Sequence, residues 1–200
     1  MGKDKYMKDI EGFFKRSPLV TYDSIERLIK NKKQVKQYTK QLIRNLILKG
    51  KIKRLAKGCY TVHHDASLSV FCFKPSYLGL QDALSLYELW EQETIPVIVT
   101  TRKVRQGIRN ILGINVLIRR INKKYLFGFD YIKQGDFYFP YSDLEKTFID
   151  MVYYNENLSK EAKKNIIKKI SIKRLDTYLK VYPERFRKKI LKHLKQKANL

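Results

Sequence analysis

The stretch from Lys32 to Val62 constrains the fold of this chain more than any other part of the sequence. It opens with QVKQYTKQLIRNLILK, in which apolar residues recur at the 3, 4, 7 spacing of one helix face. Gly50 ends this run, and KIKRLA and CYTV then flank a Lys-Gly pair, as the strands of a short β-hairpin would. A helix that leads directly into a basic hairpin is typical of a winged helix-turn-helix, so we predict that fold for residues 1–62.

The polar face of the predicted helix carries Lys, Arg and Gln side chains and no acidic one. Lys and Arg neutralise backbone phosphates, whereas Gln can hydrogen-bond to base edges in the major groove. We therefore predict an interface with double-stranded DNA, against two alternatives: a face that is merely solvated, and a face that binds protein. The candidate residues are Lys33, Gln34, Lys36, Gln37, Lys40, Gln41 and Arg44 on the helix and Lys53, Arg54 and Lys57 on the hairpin.

The net charge of +24 is distributed unevenly along the chain. Residues 1–62 contain 17 Lys+Arg against 5 Asp+Glu, residues 63–158 contain 11 of each, and residues 159–200 contain 15 against 3. Two basic blocks therefore flank a neutral middle. A lysine-rich surface of the thermophilic kind would carry matching glutamates, which this chain lacks, so we expect a polyanionic partner.

Composition and the ends of the chain indicate a cytoplasmic protein. The 44% of hydrophobic residues suffices for a packed core, and no apolar run of about 18 residues predicts a membrane span. The N-terminal residues MGKDKYMKDIEG lack the apolar segment of a signal peptide. The two cysteines, Cys59 and Cys72, are too few for a disulfide scaffold, which fits a reducing compartment.

The rest of the pattern predicts an α+β fold with two domains. Two helices precede the basic one, and Thr21 is the predicted N-cap of the second. Residues 63–200 are predicted to form a mixed α+β domain that ends in a basic helical tail. Its predicted elements are a strand at Leu68–Lys74, a helix at Leu78–Trp90, three β-rich runs punctuated by glycines, a helix from Ser142 or Asp143 to Tyr154 with a Ser142-x-x-Glu145 capping box, and three C-terminal helices.

Residues that could carry catalysis or bind a metal are few. Cys59, His63, His64 and Cys72 cluster loosely, as zinc ligands can, but small side chains in predicted strands explain both cysteines. A second group, Asp136, Asp143, Glu145, Lys146 and Asp150, invites comparison with a metal-dependent nuclease. Its spacing argues against that reading, because adjacent residues on a helix do not face each other; capping by Glu145 and a helix-surface Asp150 explain the group better. We predict no enzymatic activity, no cofactor and no metal site.

Four spaced segments of the chain resemble one family. They are LILKGKIKRLAKGCYTV, KPSYLGLQDALSLYEL, PVIVTTRKVR and PYSDLEKTFIDMVYY, and the resemblance as a whole covers about residues 5–155. In this order they are similar to segments of the AbiEi-type antitoxins, which regulate abortive-infection loci of the type IV toxin–antitoxin class. The chain departs from the family pattern at Leu144, where a proline is frequent, and at Glu88, where a glycine is frequent.

The resemblance implies a transcriptional repressor with two tasks. The winged helix would bind inverted repeats at its own promoter, as a monomer or a homodimer, and the second domain would counter a nucleotidyltransferase toxin. Thr101, Arg102, Glu145, Lys146 and Asp150 match family positions as scaffold or interaction surface. The candidates for a partner surface are Thr101 and Arg102 with the basic cluster Arg119, Arg120, Lys123 and Lys124, although that cluster could equally just end a strand. The alternatives are a stand-alone regulator with a ligand-sensing domain and a metal-dependent nuclease.

Overall fold

The computed structural model describes residues 6–29 and 34–195. The chain divides into two compact units. The first comprises the residues up to Cys72 together with 110–115, and the second comprises 73–109 and the residues from Val116 onward. The division falls after Cys72, whereas the sequence predicts a boundary at residue 62.

The first unit contains three helices and a small antiparallel sheet. The helices are α1 (Met7–Arg16), α2 (Tyr22–Leu28) and α3 (Val35–Leu48), and the strands are β1 (Val20–Thr21), β2 (Lys53–Ala56) and β3 (Cys59–Thr61). The strand order is β1-β3-β2, so β3 is the central strand and pairs with both β1 and β2. The three predicted helices and the predicted hairpin are confirmed.

Apolar side chains at helical spacing hold this unit together. Ile25 of α2 and Ile43 of α3 are at most 3% exposed, and both join one cluster with Ile52 from the segment before β2. Burying each such side chain contributes about 1.5–3 kcal/mol. Thr21 is the N-cap of α2, as predicted, because its side-chain oxygen accepts a hydrogen bond from the Ser24 backbone N–H at 3.2 Å.

A six-stranded mixed sheet and five helices make up most of the second unit, except that the end of β6 and the start of β7 lie within residues 110–115 of the first unit. The strands are β4 (Ser76–Leu78), β5 (Val97–Thr100), β6 (Gly107–Ile111), β7 (Ile114–Arg120), β8 (Phe129–Gln134) and β9 (Phe137–Ser142), and the helices are α4 (Gln81–Leu86), α5 (Leu144–Tyr153), α6 (Lys160–Lys169), α7 (Ile172–Leu179) and α8 (Glu184–Lys195). The strand order is β6-β7-β5-β4-β9-β8, with parallel pairs β5–β7 and β4–β9. The α+β class and the helical tail are thus as predicted.

The strand predicted at Leu68–Lys74 is wrong. Residues Ala66–Phe73 form a 3-10 helix, which includes Cys72. A short apolar run is ambiguous between a buried strand and a buried helical segment, because in both every side chain is enclosed. Here the Ser69 hydroxyl donates to the Ala66 carbonyl at 2.6 Å, an interaction that suits a helical turn.

The helix predicted at Leu78–Trp90 is too long at both ends. Leu78 ends the buried strand β4, and the chain turns at Leu80, whose φ is +59°, before α4 begins at Gln81. Helix α4 then ends at Leu86, before the predicted end at Trp90. Strand β4 pairs along β5 from Ser76–Thr100 to Leu78–Ile98. The tertiary pairing of β4 therefore overrides the helical periodicity of the local sequence.

Helix α5 lies at the centre of the second unit's core. Phe148 and Ile149 are fully buried and share an apolar cluster with Val99 of β5, Ile166 of α6 and Leu175 of α7. The basic tail helices are consequently packed elements and not a loose appendage. In the part of the chain that the structure describes, no helix combines the length and the apolar character needed to cross a membrane.

Candidate functional site

Helix α3 exposes a stripe of basic and amide side chains. The buried side of the helix, with Thr39, Ile43 and Leu46, fixes its rotation against the core of the first unit. Gln34, Lys36, Gln37, Lys40, Gln41 and Arg44 are all exposed, and Lys33 lies outside the described residues. Because the core determines which face looks outward, these side chains point to solvent together.

No acidic side chain stands on the exposed face of α3 itself. Within residues 6–29 and 34–195, no salt bridge involves Lys36, Lys40 or Arg44. The Gln41 amide donates to the Asn45 side-chain oxygen at 3.2 Å, which orients both amides along the helix. The stripe therefore offers several positive charges and oriented amide groups to an anionic partner.

The hairpin extends this surface, but its three basic candidate residues are not equally exposed. Arg54 and Lys57 are exposed. Lys53 is half-buried instead, and its ammonium group donates to the Val62 carbonyl at 3.1 Å. Lys53 therefore differs from the other two hairpin candidates, because its ammonium group makes a hydrogen bond within the unit.

A groove of about 440 Å³ runs between α3 and the hairpin. Its walls are Tyr22, Lys40, Ile43, Arg44, Ile47, Leu48, Arg54 and Tyr60. Leu48 is 74% exposed and adds an apolar surface next to the charged stripe. The groove can make apolar contacts such as those that thymine methyl groups or deoxyribose rings provide, with cations at its rim.

The structure brings the predicted partner-surface residues to one edge of the second unit's sheet. Strands β5 and β7 run parallel, and Thr100 is paired with Arg120. Thr101 and Arg102 come after β5, and Lys123 and Lys124 come after β7. Because the two strands are parallel, both pairs of residues leave the sheet at the same edge. All of them except half-buried Thr101 are exposed.

Arg119 differs from the others in this group. Its guanidinium donates to the Glu156 carboxylate at 2.5 Å and lies over the Tyr154 ring, 5.6 Å from its centroid. Its side chain is only 32% exposed. Arg119 is therefore occupied within the unit, while Arg120, Lys123 and Lys124 are presented outward.

The segment from Asp143 to Asp150 is internal scaffold. Lys146 and Asp150 are fully buried one turn apart on α5 and form an ion pair, and Asp150 also accepts a 2.5 Å hydrogen bond from the Tyr77 hydroxyl. Burial lowers the pKa of Lys146 and raises the pKa of Asp150, while their mutual attraction opposes both shifts. The predicted helix-surface position of Asp150 is wrong, because Tyr77 of β4 covers it.

The predicted capping box at Ser142 and Glu145 is also wrong. Asp143 is the N-cap of α5, and its side chain accepts from the Lys146 backbone N–H at 2.8 Å. Glu145 instead accepts a 2.6 Å hydrogen bond from the Ser171 N–H, at the N-terminus of α7. Asp143 thus caps its own helix, α5. Glu145 caps α7 instead, whose N-cap residue Ser171 lies 26 positions further along the chain.

These contacts leave the acidic group of α5 little capacity for metal chemistry. Tyr178 of α7 donates to the second oxygen of Asp143 at 2.5 Å, and Asp150 is saturated by Lys146 and Tyr77. Among the described residues, no three His, Cys, Asp or Glu side chains are arranged to hold a metal ion. The i, i+4 spacing of Lys146 and Asp150 was the sequence signal for their pairing.

Comparison with known proteins gives information about the fold of this chain. No family model matches the sequence, and a search of curated proteins finds no match. Among solved structures, the chain is similar to the RV2827C protein from Mycobacterium tuberculosis, with a TM-score of 0.56 and 13% identity over 95% of this chain and 76% of that one. At this identity the similarity concerns the fold alone.

Proposed function

We propose that the first unit is a winged helix-turn-helix that binds double-stranded DNA, with α3 as its recognition helix and the β2–β3 hairpin as its wing. The observation that carries this proposal is the exposed stripe of α3, where cations and amides face solvent without a carboxylate. Gln37 and Gln41 would read base edges, and Lys36, Lys40 and Arg44 would contact phosphates. Of the hairpin residues, Arg54 and Lys57 would reach the flanking backbone more readily than Lys53.

The salt dependence of DNA binding tests this proposal. Fluorescence anisotropy with a labelled duplex from upstream of the gene gives the affinity over a series of salt concentrations. If about six phosphates are neutralised, log affinity falls with log salt with a slope near −5. A slope close to zero would overturn the proposal.

The amide side chains allow a separate test of sequence reading. Replacing Gln37 and Gln41 by alanine should weaken binding to the operator by about 1–3 kcal/mol for each lost base contact, and should leave binding to an unrelated duplex unchanged. Equal losses on both duplexes would mean that these amides do not read bases. Lys15→Gln on α1 is the control for an exposed change in the same unit.

We further propose that the protein is a cytoplasmic repressor and the antitoxin of a type IV toxin–antitoxin pair. This part rests on the resemblance of the spaced segments to AbiEi-type antitoxins. The second unit would oppose a nucleotidyltransferase toxin, and the exposed residues Arg102, Arg120, Lys123 and Lys124 at one sheet edge supply a candidate contact surface. On its promoter the protein would act as a monomer or a homodimer.

The identity of the neighbouring open reading frame is the most informative test of the antitoxin role. If it encodes a nucleotidyltransferase that arrests growth when expressed alone, co-expression of this chain should restore growth. Arg102→Glu with Arg120→Glu should abolish the rescue without changing DNA binding, and Lys133→Glu is the matched control. A thermal shift with metabolites and no rescue would instead favour a stand-alone, ligand-sensing regulator.

A further inference from the structure

Helices α6, α7 and α8 carry the second basic block of the chain on their outer sides. From Lys160 to Lys192 there are ten lysines and three arginines against three acidic residues. Nearly all of these basic side chains are exposed, whereas Ile166, Leu175 and Ile190 of the same helices are buried in the core of the second unit. We call these exposed basic residues the α6–α8 surface; the packing beneath holds it in place.

Like charges stand next to each other on this surface. On α6, Lys160, Lys164 and Lys168 follow at intervals of four, which puts them on successive turns of one face. Lys188 of α8 is paired with Glu184 at 2.8 Å, and beyond Glu184 every charged residue of α8 is basic. An arrangement in which ammonium groups repel one another along a helix is stabilised when an anion lies over it.

Basic groups from two helices converge at His193. Lys189, Lys192 and His193 occupy positions i, i+3 and i+4 of α8, and Lys189 is anchored by donating to the Val152 carbonyl at 3.2 Å. Burial, and then the charges of Lys163, Lys189 and Lys192, lower the pKa of His193. Because Lys163 belongs to α6, the positive potential at this side chain arises from both helices.

We propose that the α6–α8 surface binds the phosphodiester backbone of double-stranded DNA without regard to base sequence. Lysine is depleted in protein–protein interfaces, where aromatic residues and arginine prevail. Protein–DNA interfaces, in contrast, are strongly positive, and lysine binds phosphate as a point charge. Ten lysines to three arginines therefore favour a nucleic acid over an acidic protein as the occupant.

This proposal does not depend on the function proposed for α3. The α6–α8 surface belongs to the second unit, and its phosphate contacts would add to the affinity for any duplex. Binding through α3 could fail its tests while the α6–α8 surface passed its own. The two surfaces are separated experimentally by changing each alone in the full-length chain.

The first experiment measures the salt dependence of binding to a duplex of random sequence. Lys164→Gln with Lys168→Gln should lower the slope of log affinity against log salt by about 1.8, the value for two lost phosphate contacts. Lys103→Gln with Lys133→Gln removes the same charge elsewhere in the unit and should leave the slope unchanged. Equal slopes for the two variants would overturn the proposal. Matching thermal unfolding curves establish that both variants are folded.

The second experiment uses His193 as a reporter of the bound anion. Its pKa, followed by NMR in the full chain, should rise when the random duplex is added, because phosphates offset the charges of the three nearby lysines. His193→Gln identifies the resonance. An unchanged pKa with saturating duplex, or tighter binding of poly-glutamate than of duplex at equal charge, would overturn the proposal in favour of a solvated face or an acidic protein partner.

Discussion

Lysine side chains have opposite environments on α3 of the first unit and on α5 of the second unit. Lys40 of α3 is exposed and without an ion pair among the described residues, whereas Lys146 of α5 is fully buried against Asp150. Lys146 also lies 5.3 Å from the centroid of the Tyr77 ring. The type of residue therefore does not decide between a binding role and a structural role. The presence of partners within the fold decides it.

Charged residues on α3 and on α5 are also expected to affect different free energies, that of binding for α3 and that of folding for α5. A free ammonium group on α3 contributes little to stability and is available to a phosphate. The buried pair on α5 is expensive to desolvate and becomes strongly destabilising when one partner is lost. Variants of the two helices should therefore affect different measurements.

The largest expected effect is on stability, from Asp150→Ala. The change leaves the Lys146 charge buried and unpaired, so the free energy of unfolding should fall by about 3–5 kcal/mol in urea denaturation. Lys40→Ala on α3 should change it by less than about 0.5 kcal/mol. The double change Lys146→Met with Asp150→Leu removes both charges and should recover much of the loss. If Asp150→Ala cost no more than Lys40→Ala, the contrast between the helices would collapse.

The next effect concerns DNA binding by the first unit. Lys40→Gln with Arg44→Gln removes two proposed phosphate contacts, which should lower the slope of log affinity against log salt by about 1.8. We expect a loss of about tenfold in affinity, or ~1.4 kcal/mol, at moderate salt. Within the wing, Arg54→Gln should weaken binding more than Lys53→Gln, because Lys53 donates to the Val62 carbonyl. The reverse order would show that Lys53 leaves this contact on binding.

A smaller effect is expected from the cap of α2. Thr21→Ala removes the acceptor for the Ser24 N–H and should lower the free energy of unfolding by about 1 kcal/mol. Thr21→Ser keeps an oxygen at the same place and should cost clearly less. Chemical denaturation of both variants gives the comparison, and equal losses would indicate that Thr21 acts through its methyl group.

The smallest effect is a dependence of stability on pH at the cap of α5. Burial raises the pKa of Asp143 above 3.8, although the Tyr178 hydrogen bond opposes the shift. A carboxyl group with a raised folded pKa contributes most below the unfolded value, and this contribution is lost as pH rises through the folded pKa. Asp143→Asn cannot ionise and still offers an oxygen to the Lys146 N–H. Relative to the wild type, the variant should therefore gain stability as pH rises through the folded pKa of Asp143. A difference that stays constant with pH would contradict the shift.

Local signals in the sequence were sufficient for the elements of the first unit. Its helices bury residues at helical spacing, Thr21 caps α2, and a two-residue turn at Lys57-Gly58 joins the hairpin strands. Each of these features depends on residues a few positions apart, and such residues meet in any chain that adopts the local structure. The exposed stripe of α3 followed from the same periodicity.

The second unit was harder to predict because its decisive contacts are distant in sequence. Tyr77 reaches Asp150 across 73 positions, and Glu145 reaches the N-terminus of α7 across 26. The predicted start of the helix at Leu78–Trp90 is wrong because β4 pairs with β5 and β9. A carboxylate on a helix is a surface residue by default, and only a buried neighbour from another element changes that.

The sequence by itself determined the helices and hairpin of the first unit, the basic face of α3 and the two blocks of positive charge, because periodicity and composition are local properties. Only the tertiary structure decided which charges are free. It enclosed Lys146, tied Lys53 and Arg119 to internal acceptors, and left Lys40, Arg44 and most lysines of α6 exposed. The reason is physical: a charge becomes structural when folding brings it a partner and removes its water, and both events depend on contacts between distant parts of the chain.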